Sequence, residues 1–196
     1  SKSLGNFFTV REVLARYQPE VVRYFILTSH YRSPLNYSEQ DLESAKTAVT
    51  RLYTALRGLP DASESCQDDS YSQRFQVAMN DDFNTPEALA ILFDLAKEIN
   101  KLRDNNLSQA AQLASELHRL GEILGLLQAK PDAYLQGLKF SSEADLSVIS
   151  IEQLILERQE ARKRRDWATA DRIRVNLKEK GVVLEDSATV TTWRKM

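Results

Sequence analysis

Two apolar stripes constrain this chain more than any other feature. Leu42, Ala45, Val49, Leu52 and Leu56 recur at steps of three, four, three and four, and Leu113, Leu117, Leu120, Leu124 and Leu127 at steps of four, three, four and three. Only the 3.6-residue period of an α-helix gathers such positions on one face; a strand would scatter them over two. With 6 Gly and 5 Pro in 196 residues, the chain also lacks the turn residues that long sheets need. The expected fold class is therefore mainly α, with an antiparallel helical bundle joined by short loops.

Punctuation locates the elements. Thr9 caps a short helix over 9–17, and Pro19 breaks it. "EVVRYFILTS" reads as a mostly buried helix, and His30–Ser38 as irregular chain around Pro34 and Asn36. Ser38, with Asp41 three residues on, opens the first striped helix, which Gly58 and Pro60 end. The polar stretch 59–69 reads as a linker. A second helical block starts near Tyr71 and is interrupted by "NDDFNTPEAL", where Thr85 before Pro86, or alternatively Asn84 with Glu87, caps a helix running to about Leu102. Ser108 is expected to cap the second striped helix, and 128–146 to be another linker. From Val148 a helix runs through "ARKRR". "DWATADRIRVNLKEKG" is a further helix that Gly181 ends. "VVLED" and "TTWRK" read as short strands, a hairpin that must pack on the preceding helices to be stable.

Composition narrows the function classes. The lone Cys66 excludes an internal disulfide and a thiolate cage, and suits a cytoplasmic protein. His30 and His118 share no metal-ligand spacing, and no apolar run is long enough to cross a membrane. The net charge of −2 conceals an asymmetry: residues 147–196 carry 11 Lys and Arg against 8 Asp and Glu. A basic C-terminal segment suits an anionic partner, although charged helix faces are also simply solvated.

Longer motifs say more. "SKSLGNFFTVREVL" resembles the end of the Lys-Met-Ser-Lys-Ser signature loop of class I aminoacyl-tRNA synthetases, without its first Lys and Met. "RYFILTSHYRSPLNYSEQDLESA", "DDFNTPEAL" and "ARKRRDWATADRIRVNLKEKGVVLEDSATVTTW" resemble the cysteinyl-tRNA synthetase family in particular. The resemblance spans nearly the whole chain and is weakest at the two linkers. It implies the downstream half of such an enzyme, beginning inside the signature loop at Ser1. It further implies a stem-contact region over 1–40, a helical bundle of the DALR type over 41–130, and a small α+β anticodon-recognition domain over 147–196. The Rossmann-type domain, the His-Ile-Gly-His motif and the zinc that binds cysteine lie upstream in that family. No catalytic residue, metal ligand or cofactor is thus expected in this piece, apart from Lys2, which matches the second lysine of the loop and would touch ATP in the full enzyme.

The resemblance also supplies candidate binding residues: Arg162, Trp167, Asp171, Arg174 and Asp186. Trp167, Asp171 and Arg174 stand at i, i+4 and i+7 of one helix. An indole face stacks an unpaired base, a carboxylate accepts from the Watson–Crick edge of guanine, and a guanidinium donates to its O6 and N7. The family's anticodon is GCA, which implies guanine against Arg162, Trp167 and Asp171, with Arg174 and Asp186 serving the next bases or the phosphates. From spacing alone, Trp167 also suits a core position and Asp171 with Arg174 a surface pair worth about 0.2–0.5 kcal/mol. Trp193, and the aromatic residues of "RYFILTSHY", are expected in the core. His30 and Arg32 face the inner corner of a tRNA or cap a turn.

The resulting expectation is a monomeric, cytoplasmic chain that binds the anticodon loop and stem of tRNA(Cys), with no membrane or DNA partner and no aminoacylation of its own. The alternatives are a cysteine–amino-sugar ligase relative without tRNA recognition, against which the basic tail speaks, and a stand-alone helical interaction module.

Overall fold

Local capping sets where the helices begin, and the apolar stripes decide which of them meet. The computed structural model describes residues 9–60, 69–137, 146–186 and 191–195, with 146–150 described by backbone alone. Among these residues the order is α1 (Val10–Arg16), α2 (Pro19–Leu27), α3 (Glu39–Leu56), α4 (Ser70–Asn80), α5 (Thr85–Leu102), α6 (Leu107–Ile123), α7 (Pro131–Leu135), α8 (Leu146–Lys163), α9 (Trp167–Glu179), β1 (Val182–Asp186) and β2 (Thr191–Lys195). The chain divides into two compact units, 1–131 and 132–196. Lys2, Cys66 and the turn between the strands lie outside the described residues.

In the first unit, Thr9 closes a reciprocal capping box with Glu12, and Ser38 accepts from the Asp41 amide at 3.1 Å. Asn84, rather than Thr85, is the N-cap of α5, its side chain accepting from Glu87 N at 3.3 Å. The Thr85 hydroxyl instead donates to the Leu27 carbonyl at 2.9 Å and ties α5 to the end of α2. The cap of α6 is likewise Asn106, not Ser108. The chain completes its turn at Asn106, whose amide oxygen accepts from Gln109 N at 3.1 Å, so Ser108 already lies inside the first helical turn. Gly58, at φ 71°, is the left-handed residue that ends α3.

The buried stripe of α3 is the expected one, Leu42, Ala45, Val49, Leu52 and Leu56. On α6, Leu113, Leu117 and Leu120 are buried along the helix, but Leu124 is its C-cap and Leu127 lies past its end at φ 61°. Leu127 still reaches the core because the chain folds back over Gly121, where an added Cβ would stand 2.7 Å from Leu127 Cδ1. Helices α2, α3, α4, α5 and α6 pack in the pairs α2–α3, α3–α5, α4–α5 and α5–α6.

A half-buried polar hub joins α2, α3 and the chain after α6. Tyr53 on α3, fully buried, donates to the Glu20 carboxylate at 2.8–2.9 Å and accepts from Ala129 N at 3.1 Å. Glu20 also accepts from the amides of Leu127 and Gln128, at 3.2 and 2.9 Å. These amides belong to a non-helical turn, and the amide of the buried Leu127 would otherwise lack a partner. Of the aromatic residues in "RYFILTSHY", Tyr24 and Phe25 are buried as expected, whereas Tyr31 is 61% exposed. Tyr31 is drawn outward because its hydroxyl donates to Asp82 at 2.8 Å, next to Arg32 at 3.2 Å from the same carboxylate.

In the second unit, α8, α9 and the antiparallel β1–β2 hairpin share one core: Ile151, Ile155, Ile173, Leu177, Val182 and Trp193. Leu184 lies opposite Trp193 and Asp186 opposite Thr191, so the hairpin's inner face carries Val182, Leu184 and Asp186 on one strand and Thr191 and Trp193 on the other. Trp193, 3% exposed, is a core residue as the sequence suggests.

The hub yields the first expectation. Tyr53→Phe removes one hydroxyl and leaves the Glu20 carboxylate and the Ala129 amide short of a partner. Urea unfolding should show a loss of about 1–3 kcal/mol, with the change in the first unit's transition and none in the second's.

Candidate nucleic-acid interface

Arg162 and Trp167 flank the corner where α8 hands over to α9. Helix α8 ends in a Schellman turn: Asp166 N donates to Ala161 O at 2.9 Å and Arg165 N to Arg162 O at 3.0 Å. The left-handed position of that turn, usually glycine, is Arg165 at φ 61°. A side chain there costs about 1–2 kcal/mol. Asp166 then serves at once as the last residue of the turn and as the N-cap of α9, accepting from Thr169 N at 3.1 Å. Hydrogen bonding from the Thr169 side chain, and next from its amide, holds the Asp166 carboxyl below its ordinary value. The tight corner leaves Arg162, Lys163, Arg164 and Arg165 exposed together and makes Trp167 the first residue of α9.

Trp167 cannot turn inward, because Ala170, Ile173 and Leu177 form the buried stripe of α9. The indole is 59% exposed. Asp171 and Arg174, on the same side of the helix, are exposed as well. Among the described ion pairs none joins Asp171 to Arg174; the Asp171 charge instead adds to the field that holds Arg158 protonated.

Asp186 is placed differently. It ends β1 on the hairpin's inner face and meets Arg158, a residue the sequence reading passed over. Arg158 continues the buried stripe of α8, seven residues after Ile151 and three after Ile155, and its side chain is only 6% exposed. Its Nη1 donates to Asp186 Oδ1 at 2.9 Å and its Nη2 to Oδ2 at 2.8 Å. Thr191 donates to Oδ1 at 2.7 Å, and Arg162 Nη1 stands 3.7 Å from Oδ2. The bidentate guanidinium holds the Asp186 carboxyl far below the usual carboxylate range, with Thr191 and Arg162 adding to the effect and burial opposing it. The same bond raises Arg158 further. The sequence signal for Arg158 was an arginine in an otherwise apolar stripe, which implies a buried acid opposite it.

The structure thus brings Arg162 to Asp186 and sets Trp167, Asp171 and Arg174 along one exposed helix face. An exposed indole beside an arginine-rich corner can stack an unpaired base and hold the phosphates that flank it. Among the described residues no group of three or more His, Cys, Asp or Glu could hold a metal ion. No helix among them is long and apolar enough to cross a membrane.

Comparison with known proteins gives three family matches: the class I (C) tRNA synthetase catalytic domain over residues 1–47, the DALR domain over 74–128, and the cysteinyl-tRNA ligase anticodon binding domain over 150–194. The chain is similar to cysteine–tRNA ligases from Thioalkalivibrio sulfidiphilus (58% identical over 195 residues), Methylococcus capsulatus (57% over 202) and Azotobacter vinelandii (54% over 195). These alignments take in 99–100% of the chain and 41–42% of each relative, so the chain spans about two fifths of their length.

The depressed Asp186 carboxyl has a consequence for acid stability. A carboxylate stabilised in the folded state contributes fully above its unfolded value, about 3.9, and the contribution disappears as pH falls through the lower folded value. Asp186→Asn should therefore be less stable than the unsubstituted chain at neutral pH. The two denaturation midpoints should approach one another as the pH is lowered from about 4.

Proposed function

We propose, for a chain that belongs to the cysteinyl-tRNA synthetase family, the role of the C-terminal, tRNA-binding part of a cysteine–tRNA ligase. The complete enzyme would activate cysteine with ATP, form cysteinyl-adenylate and transfer the cysteinyl group to tRNA(Cys), releasing AMP and pyrophosphate. Lys2, as the second lysine of the signature loop, would stabilise charge on the ATP phosphates. Residues 1–40 would contact the tRNA stem, 41–130 would form the connecting bundle and 147–196 would read the anticodon.

The observation that carries this reading is the exposed Trp167 ring at the arginine-rich corner, inside the segment that matches an anticodon-binding family. A base unstacked from the anticodon loop would lie on the indole, a contact worth about 1–3 kcal/mol. Asp171, one turn along, would accept from N1–H and N2–H₂ of the guanine of GCA, and Arg162 would donate to its acceptor edge. Arg174 would hold the following base or phosphate. Lys163, Arg164 and Arg165 would follow the backbone, contributing affinity but no sequence information. The anticodon-family match over 150–194 favours this reading over a cysteine–amino-sugar ligase or a stand-alone helical module.

The test is titration of the chain with RNA hairpins whose loops display GCA or a permuted anticodon. The GCA hairpin should bind more tightly, and its affinity should fall as salt rises, because phosphate contacts release counterions. Trp167→Ala should weaken it by at least about fivefold. Trp193→Ala should lower the melting temperature of the second unit before it changes binding. Equal affinity for both hairpins would contradict the assigned base contacts.

A further inference from the structure

We propose that Arg158, buried beneath the corner and out of reach of any bound RNA, is a positioning residue that sets the base selectivity of the site above it. The inference rests on the anticodon reading of Trp167 and Arg162. The Asp186 carboxylate is almost fully engaged as an acceptor. A carboxylate offers about four lone-pair directions. On Oδ1, one is taken by Arg158 Nη1 at 2.9 Å and another by Thr191 Oγ1 at 2.7 Å. On Oδ2, Arg158 Nη2 takes one at 2.8 Å. Among the described residues a single direction remains, on Oδ2, and Arg162 Nη1 stands 3.7 Å from that oxygen, beyond hydrogen-bond length but within reach of the charge.

Asp186 is therefore not a free reader of bases but a hinge between a buried cation and an exposed one. The Arg158 fork fixes the plane of the carboxylate, since two parallel N–H donors allow it one orientation. Thr191, on the opposite strand, prevents it from sliding along the fork. The single open lone pair then has one direction in space, and Arg162, half-exposed, is held over it by charge rather than by a tight bond. An arginine held in this way is aimed yet still mobile enough to exchange Asp186 for a nucleobase edge. The site reads a base through Arg162, and Arg158 decides where Arg162 waits.

A lysine at 158 would keep the positive charge and much of the stem but would not provide the fork. The carboxylate could then rotate, and Arg162 would follow it. Arg158→Lys should bind the GCA hairpin roughly tenfold more weakly while changing the affinity for a hairpin of permuted anticodon by less than about twofold, so that discrimination collapses. Trp167→Ala should instead weaken both hairpins together, because stacking is tolerant of sequence. Thr191→Val removes the second restraint from the surface, with little risk to folding, and should shift discrimination in the same direction by a smaller factor.

Thermal melting of the same samples separates positioning from simple support of the fold. Lowered discrimination in Arg158→Lys or Thr191→Val, at a temperature where each is fully folded, is the expected result. If either folded variant lost only melting temperature and kept the discrimination of the unsubstituted chain, the proposal would be overturned. Should Arg158→Lys fail to fold, Thr191→Val decides by itself. Failure of the unsubstituted chain to distinguish the two hairpins would remove the anticodon reading and this inference together; discrimination that survives in the variants removes the inference alone.

Discussion

The small second unit depends on one ionic clasp. Among the described residues a cluster of six buried apolar side chains joins its two long helices to the two-stranded hairpin, and a hairpin by itself is marginal in water. The bidentate pair between Arg158 and Asp186 fastens the end of β1 to the middle of α8. Removing Asp186 would leave the buried Arg158 guanidinium without its counter-charge, whereas Asp186, about a third exposed, could still be solvated if Arg158 were removed. The clasp also determines what the surface can do. It fixes the Asp186 carboxylate against α8, leaves Arg162 exposed, and sets the hairpin against the helices that carry Trp167 on their exposed side.

Backbone choices at the corner point the same way. Arg165 occupies a left-handed position where glycine would be easier, and the corner exposes four basic side chains in succession. The first unit shows a comparable local conflict. Asp82 and Phe83 are consecutive non-glycine residues at φ 51° and 56°, held by hydrogen bonds from Tyr31 to the Asp82 carboxylate and between His30 Nε2 and the Asp82 carbonyl. Apart from that loop, the first unit is held by apolar stripes and by the Glu20–Tyr53 hub, whose acceptors satisfy amides of the turn after α6.

The legible parts of the fold were those that a local rule governs. The stripes of α3 and α6, the caps at Thr9 and Ser38, the glycine ends at Gly58 and Gly181, and both strands follow from periodicity and turn chemistry within a few residues. The cap of α6 was misplaced because Asn106 and Ser108 are both competent caps, and only the geometry of the preceding turn selects between them. Leu127 continued the spacing of a helix that had already ended. Tyr31 was expected inside on its hydrophobic surroundings, yet its hydroxyl found Asp82 across 51 residues.

For the candidate site, the exposed face of α9 was readable because Trp167, Asp171 and Arg174 share a helix. The role of Asp186 was not, since its partner lies 28 residues away on another element. Arg158 interrupts the apolar stripe that would mark its position, although a lone guanidinium within such a stripe is itself a statement about what it packs against.

The central claim is that the exposed indole receives an unstacked base while the buried one does not. The chain has two tryptophans, 59% and 3% exposed, so iodide quenching of their fluorescence reads the two separately. In the free chain one emitter, Trp167, should be quenched readily and the other should resist. Saturation with the GCA hairpin should shield the accessible emitter from iodide and leave the resistant one unchanged. An accessible tryptophan equally open to iodide with the hairpin fully bound would contradict the account.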